Sequence, residues 1–81
     1  MIGYYVYAIK SFKNGRIYVG MSKDPENRLA EHNAGMTVST KGYRPWKIIF
    51  KRFVGERRLA RIEEKRLKSG YGKDFLKSLV R

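Results

Sequence analysis

The sequence predicts a single α+β domain spanning residues 1–81: a small three-stranded antiparallel sheet flanked by helices, in the order β-β-α-β-α-α. Three observations carry that reading. Two β-rich runs flank an Asn-Gly turn, a complete set of helix-start signals follows at Asp24-Pro25-Glu26, and apolar residues recur at helical spacing between Glu56 and Lys68. With 42% hydrophobic and 14% aromatic residues the chain folds rather than staying disordered, although 81 residues bury only a thin core.

Tyr4 to Ile9 is a continuous apolar and aromatic run and reads as the first strand. Asn14-Gly15 is a tight-turn dipeptide because both residues tolerate positive φ, and Arg16 to Met21 returns as the second strand. The pair forms a hairpin with its tip at Phe12 to Gly15. Asp24 then supplies an N-cap, Pro25 the first helical position and Glu26 an acid for the first turn. This helix runs through His32 and stops at Asn33-Ala34-Gly35, where Gly35 takes the left-handed cap.

Met36 to Arg44 reads as a loop closed by Pro45, and Trp46 to Val54 as the third strand, broken by Gly55. Ile48, Ile49, Phe50, Phe53 and Val54 are its core candidates. Glu56 to Lys68 is the second helix, with Leu59, Ile62 and Leu67 as its apolar stripe, and it closes at Ser69-Gly70. Lys73 to Val80 forms a short terminal helix on Phe75, Leu76 and Leu79. The chain has no repeat, linker or low-complexity stretch.

Composition narrows the function classes. Nineteen Lys and Arg against seven Asp and Glu leave a net charge of +12, a density that draws polyanions. Nucleic acid, DNA or RNA, is the leading partner class, ahead of ribosome association and a membrane surface. The absence of cysteine excludes disulfides and thiolate metal sites, and a lone histidine, His32, excludes zinc held by several imidazoles. No apolar run approaches the roughly 20 residues that cross a bilayer, and Met1-Ile2-Gly3 does not open a signal peptide, so a soluble cytoplasmic protein is expected.

Tyr7 and Tyr18 sit on the two strands of the hairpin; a strand tyrosine is ordinarily a packing residue. Arg28 and His32, four apart, share one helix face, which is ordinarily solvent-facing. Glu63 and Glu64 are the acids of the second helix, and either can simply pair with a neighbouring cation. Together these residue types suit phosphodiester hydrolysis. That reaction uses a metal to polarise the phosphate, a cation for the developing charge, and a base for the attacking water. One carboxylate is enough to tether Mg²⁺, which keeps most of its waters and takes phosphate oxygens as ligands. Arg clamps phosphate, and Tyr or His moves the proton.

Tyr5-Val6-Tyr7, an eleven-residue step to Tyr18-Val19-Gly20, and then Arg28 and His32 resemble the GIY-YIG nuclease family. Ser39-Thr40-Lys41-Gly42 with Arg44-Pro45-Trp46, and the stretch Glu64 to Gly72, are similar to the small stand-alone branch of that family. The resemblance covers nearly the whole chain. It implies a β-β-α-β-α core and a DNA endonuclease using Mg²⁺ or Mn²⁺. In it Tyr18 is the general base, Tyr7 positions water or contacts phosphate, Arg28 stabilises the pentavalent phosphate, and His32 orients it or assists proton transfer. A helix-two glutamate holds the metal. The helical wheel turns Glu63 toward the stripe, whereas the family pattern selects Glu64 through Leu67 and Lys68.

The chain departs from the family in carrying Tyr5 for the first glycine, Met21 where some members have lysine, and no asparagine after Asn33. Lys23, Lys41, Arg44 and Lys47 fall in segments expected beside the site and are the candidate phosphate contacts. With no base-reading helix, recognition by DNA structure or through a protein partner is expected, and a non-catalytic nucleic-acid-binding module on the same fold is the rival reading.

Overall fold

A computed structural model describes residues 2–80; Met1 and Arg81, the two ends of the expected 1–81 domain, lie outside them. The elements are β1 (Tyr4–Ser11), β2 (Ile17–Ser22), α1 (Pro25–Asn33), α2 (Val38–Lys41), β3 (Trp46–Gly55), α3 (Arg57–Lys68) and α4 (Gly70–Ser78). The sheet is antiparallel with β1 in the middle, in the order β2-β1-β3. The expected α+β class and element order are therefore present, with one addition: the Met36 to Arg44 loop contains the single turn α2.

Alternation along β1 sorts the core onto two faces. Val6 and Ala8 pack with Val19, Ala60, Leu67 and Leu76 beneath α3 and α4, while Tyr7 and Ile9 pack with Trp46, Tyr18, Leu29, Tyr43 and Ile48 on the opposite face. The β1–β3 register shifts between Ala8 and Ile9, where Ala8 faces Phe50 and Ile9 faces Ile48. The extra residue, Ile49, joins Phe50 on the aliphatic face and leaves Ile48 for the other.

The hairpin tip is fixed by its own side chains. Ser11 Oγ accepts from the amides of Lys13 (3.0 Å) and Asn14 (3.3 Å), and Asn14 Oδ1 accepts from Arg16 N at 3.0 Å. Gly15 takes φ +78° while Asn14 does not take a positive φ, so only the glycine uses the freedom that the Asn-Gly dipeptide offers. Asp24 caps α1 by accepting from Asn27 N at 3.2 Å.

On α3 the buried positions are Ala60 and Leu67, while Leu59 (43%) and Ile62 (54%) are exposed. The stripe expected at Leu59, Ile62 and Leu67 thus holds only at Leu67. Ala60, seven residues earlier, shares that face and brings the helix close to the sheet. The last helix starts at Gly70, before the expected Lys73, and ends at Ser78, before the expected Val80. Ser69 ends α3 and begins α4, its Oγ accepting from Gly72 N at 3.2 Å. Gly72 packs directly on the last turn of α3, where a Cβ would overlap the backbone of Arg66 and Leu67. This close approach is why a Gly-Tyr-Gly segment belongs to a helix here.

Candidate active site

Tyr7 stands at the centre of β1, opposite Gly20 on β2 and Lys51 on β3. Its ring lies across Gly20, since a Cβ there would come within 2.7 Å of the phenol oxygen and 2.9 Å of the carbon bearing it. Glycine at position 20 is thus a space requirement imposed by the tyrosine on the next strand.

Tyr7 Oη lies 3.0 Å from His32 Nε2, and His32 Nδ1 lies 2.8 Å from Thr40 Oγ1. Thr40 Oγ1 in turn donates to the carbonyl oxygen of Thr37 at 3.3 Å. A hydroxyl has one proton, so the rest of the array follows. Thr40 accepts from His32 Nδ1–H, Nε2 carries no hydrogen, and the Tyr7 O–H donates to Nε2. His32 and Thr40 are completely buried and Tyr7 is 1% exposed. Burial, followed by the Arg28 cation, holds the His32 pKa below its ordinary value of 6.5, so the imidazole is neutral.

Tyr7 is pushed up to about 12, first by burial and next by the charge of Tyr18. Arg28 opposes that rise, and the Glu64 carboxylate adds to it. The Tyr18 ring meets the His32 ring edge-on, with centroids 5.0 Å apart. Arg28 donates to Glu31 at 2.7 Å, and this carboxylate is the chief cause that raises the guanidinium's pKa. The structure therefore brings Tyr7, Tyr18, Arg28 and His32 together, with Glu64 on α3 within electrostatic reach.

The two acids of α3 are held differently. Glu63 is gripped by both arms of Arg66 (2.9 and 2.7 Å) and by Arg52 of β3 (3.3 Å), with Arg66 the main cause that lowers its pKa. Glu64 has only longer pairings, with Lys68 at 3.4 Å and Arg61 at 3.7 Å. Its side chain is 14% exposed and its charge acts on Tyr7.

Among the described residues no three His, Cys, Asp or Glu side chains gather into a metal-holding group. A lone, loosely paired carboxylate fits a cation that stays largely hydrated and binds substrate oxygens, which describes Mg²⁺ and Mn²⁺ better than zinc.

A family model, that of the GIY-YIG catalytic domain, matches residues 3–77. The chain belongs to the GIY-YIG nuclease family. Among curated proteins and solved structures there is no match. The GIY-YIG domain is in general that of an endonuclease, a hydrolase whose substrate is nucleic acid. The triplets of this GIY-YIG chain, Tyr5-Val6-Tyr7 and Tyr18-Val19-Gly20, face each other across the strands at Tyr7 and Gly20, while Tyr5 faces Ser22 and Tyr18 faces Ile9.

The four candidate phosphate contacts do not form one group. Lys41, Arg44 and Lys47 are exposed together near the hairpin tip, with Arg44 Nε donating to Lys41 O at 2.8 Å and Lys47 Nζ 5.3 Å from the Phe12 ring. Lys23 lies near the other end of β1, its Nζ 5.4 Å from the ring of Tyr4.

Sequence reasoning gave no role to Thr40, Glu31 or Asn33. Asn33 pairs both ways with the Trp46 backbone, accepting from its amide at 2.7 Å and donating to its carbonyl at 3.1 Å. Trp46 Nε1 then donates to Thr40 O at 2.9 Å, which pins the loop that carries Thr40. A lone buried histidine needs two partners, and that requirement is the signal that leads to a nearby hydroxyl.

Proposed function

We propose that the chain is a divalent-metal-dependent endonuclease that hydrolyses phosphodiester bonds in DNA and selects substrates by their structure. One observation supports this most: Tyr7 and Tyr18 both meet His32, and the charges of Arg28 and Glu64 act on the buried Tyr7 phenol. Tyr18 is the general base: acting as the phenolate, its oxygen takes a proton from the attacking water and becomes the phenol. As the water oxygen bonds to phosphorus, the bond to the leaving oxygen breaks. Arg28 meets the charge that develops on the phosphoryl oxygens.

Tyr7 and His32 are buried and act as positioning groups. Tyr7, with its pKa near 12, remains a phenol and anchors the array beside Tyr18. Glu64 would hold Mg²⁺ or Mn²⁺, which draws charge from the phosphate when bound. No helix among the described residues is long and apolar enough to cross a membrane, and we place the protein in the cytoplasm, with DNA as partner and an additional protein as a source of specificity.

The test is cleavage of supercoiled plasmid and a branched DNA panel with Mg²⁺ or Mn²⁺. Tyr18→Phe and Glu64→Ala, checked for unchanged folding, are expected to lower the rate about 10²- to 10⁴-fold. Salt-sensitive binding without cleavage by any form would replace this reading with a nucleic-acid-binding module. Equal cleavage by all three forms would overturn the site assignment.

A further inference from the structure

The chain has seven acids, and their placement is uneven. None occurs before Asp24, and none occurs between Glu31 and Glu56. The fold brings these two acid-free stretches together at the hairpin tip. Ser11 Oγ donates to Tyr43 O at 2.6 Å, Phe12 N to Pro45 O at 2.9 Å, and Lys13 Nζ to Gly42 O at 3.3 Å. Lys10, Lys13, Arg16, Lys41, Arg44 and Lys47 therefore share one end of the molecule, and no ion pair links any of them to a carboxylate among the described residues. The cations of α1 and α3, by contrast, stand among the acids: Glu26, Glu31, Glu56, Glu63 and Glu64 are all ion-paired.

Phe12 projects from the middle of this cationic end and is 63% exposed. The turn beneath it is held by three side-chain-to-backbone hydrogen bonds, so the ring is displayed on a rigid support. Lys47 covers the ring on one side, and a cleft of about 230 Å³ lies beside it, lined by Lys10, Ser11, Phe12, Gly15 and Lys47. That volume is below the roughly 300–1,000 Å³ of a drug-sized pocket and suits a single flat group. An exposed aromatic ring ringed by unneutralised cations complements a flat π-face carried on a phosphate chain.

We propose that Phe12 is a stacking platform for an unpaired base of a DNA strand, whose flanking phosphates are held by Lys10, Lys13, Lys41, Arg44 and Lys47. This rests on the nuclease reading and deepens it, because it gives the structure-selecting element a place. A base inside a continuous duplex has both faces covered and cannot stack on Phe12; a base at a gap, tail or branch can. From Tyr7 to Ser11 is four steps of β1, and Phe12 follows directly beyond the end of the strand, so the ring stands on the order of 17 Å along the chain from Tyr7.

The experiment compares binding of a blunt duplex with the same duplex carrying a single-stranded tail or a gap, by fluorescence anisotropy in EDTA. The wild type is expected to favour the tailed and gapped forms. Phe12→Ala should lose about tenfold in affinity for them and leave the blunt duplex unchanged, and Phe12→Trp should restore the preference. A wild type that does not distinguish the substrates, or a Phe12→Ala variant that affects all of them equally, would overturn the proposal. Metal-free binding keeps the two readings separate. A Phe12-dependent preference in a protein that never cleaves would defeat the nuclease reading alone, and cleavage without that preference would defeat the platform alone.

Discussion

The two faces of the sheet are built from different materials. Beneath α3 and α4 the buried side chains are Val6, Ala8, Val19, Ala60, Leu67 and Leu76, all aliphatic. Against α1 and the loop that follows it, Tyr7, His32, Thr40, Ser11 and Trp46 are buried, each with its polar atoms hydrogen-bonded. Aliphatic contacts are non-directional, so the first face stabilises the fold without specifying where one atom sits. Hydrogen bonds in a dry interior are directional and costly to leave unmade, so the second face fixes one tautomer and one ring orientation. Among the described residues no buried side-chain polar atom lacks a partner, which such a face requires. The division places the aliphatic core on one side of β1 and the Tyr7–His32–Thr40 array on the other, with the Glu64 charge acting on that array from α3.

Leu76→Ala tests the first half of that division and carries the largest expected effect. Leu76 is fully buried, and its truncation should cost about 2–5 kcal/mol in urea unfolding. A small domain holds only about 5–15 kcal/mol in total, so the loss is severe. Cleavage per folded molecule should stay close to wild type. A fall in activity beyond the folded fraction would show that the aliphatic face also shapes the site.

The fold was legible because local signals agreed with the global arrangement. Gly15, Asp24-Pro25 and Gly35 each have the backbone role their chemistry requires. Two features were hidden because they depend on tertiary contact. Leu59 and Ile62 read as core from spacing, but α3 meets the sheet through small Ala60, which turns both outward. Gly70-Tyr71-Gly72 read as a break, but Gly72 lets α4 begin directly on the backbone of α3. Of the candidate site, Tyr7, Tyr18, Arg28 and His32 were marked by the resemblance of their order and spacing to the GIY-YIG family, and the same resemblance chose Glu64 where the helical wheel favoured Glu63. Thr40 was not given a role, because a loop eight residues beyond a histidine carries no periodicity to mark it.

Thr40 is also where the polar face can be broken most selectively. Thr40→Val keeps the shape and removes the acceptor for His32 Nδ1–H, leaving a buried donor unmet at a cost of about 1–3 kcal/mol. Nitrogen NMR of the His32 ring should show the Nδ1–H form lost in Thr40→Val and retained in Thr40→Ser. An unchanged ring in the valine variant would mean that Tyr7 alone sets the tautomer.

Acidification probes the same array without a mutation. His32 is buried neutral, with its pKa held below 6.5 by burial and by Arg28, while Glu31 works in the opposite direction. Thr40, Tyr7 and Tyr18 are the other polar groups that face it. Below pH 6.5 the unfolded chain takes up a proton at this residue that the folded chain refuses, so stability falls as pH drops toward the lowered folded value. Above pH 6.5 both states are neutral at His32 and its contribution is flat. The slope is at most about tenfold in the folding constant per pH unit, and His32→Gln should remove it from a urea series.

The smallest expected effect lies on the outer side of α3. Leu59→Gln and Ile62→Gln replace side chains that are 43% and 54% exposed. Surface substitutions away from caps and buried networks usually change stability by less than about 0.5 kcal/mol. The neighbouring Leu67→Ala should cost about 2–5 kcal/mol, although all three residues occupy one apparent stripe in the sequence. The contrast within one helix is sharper than any comparison between helices, since propensity, length and capping are shared. If Leu59→Gln or Ile62→Gln approached the cost of Leu67→Ala, α3 would have to sit rotated on the sheet. Glu63 and Glu64 would then exchange surroundings, and with them the carboxylate assigned to the metal.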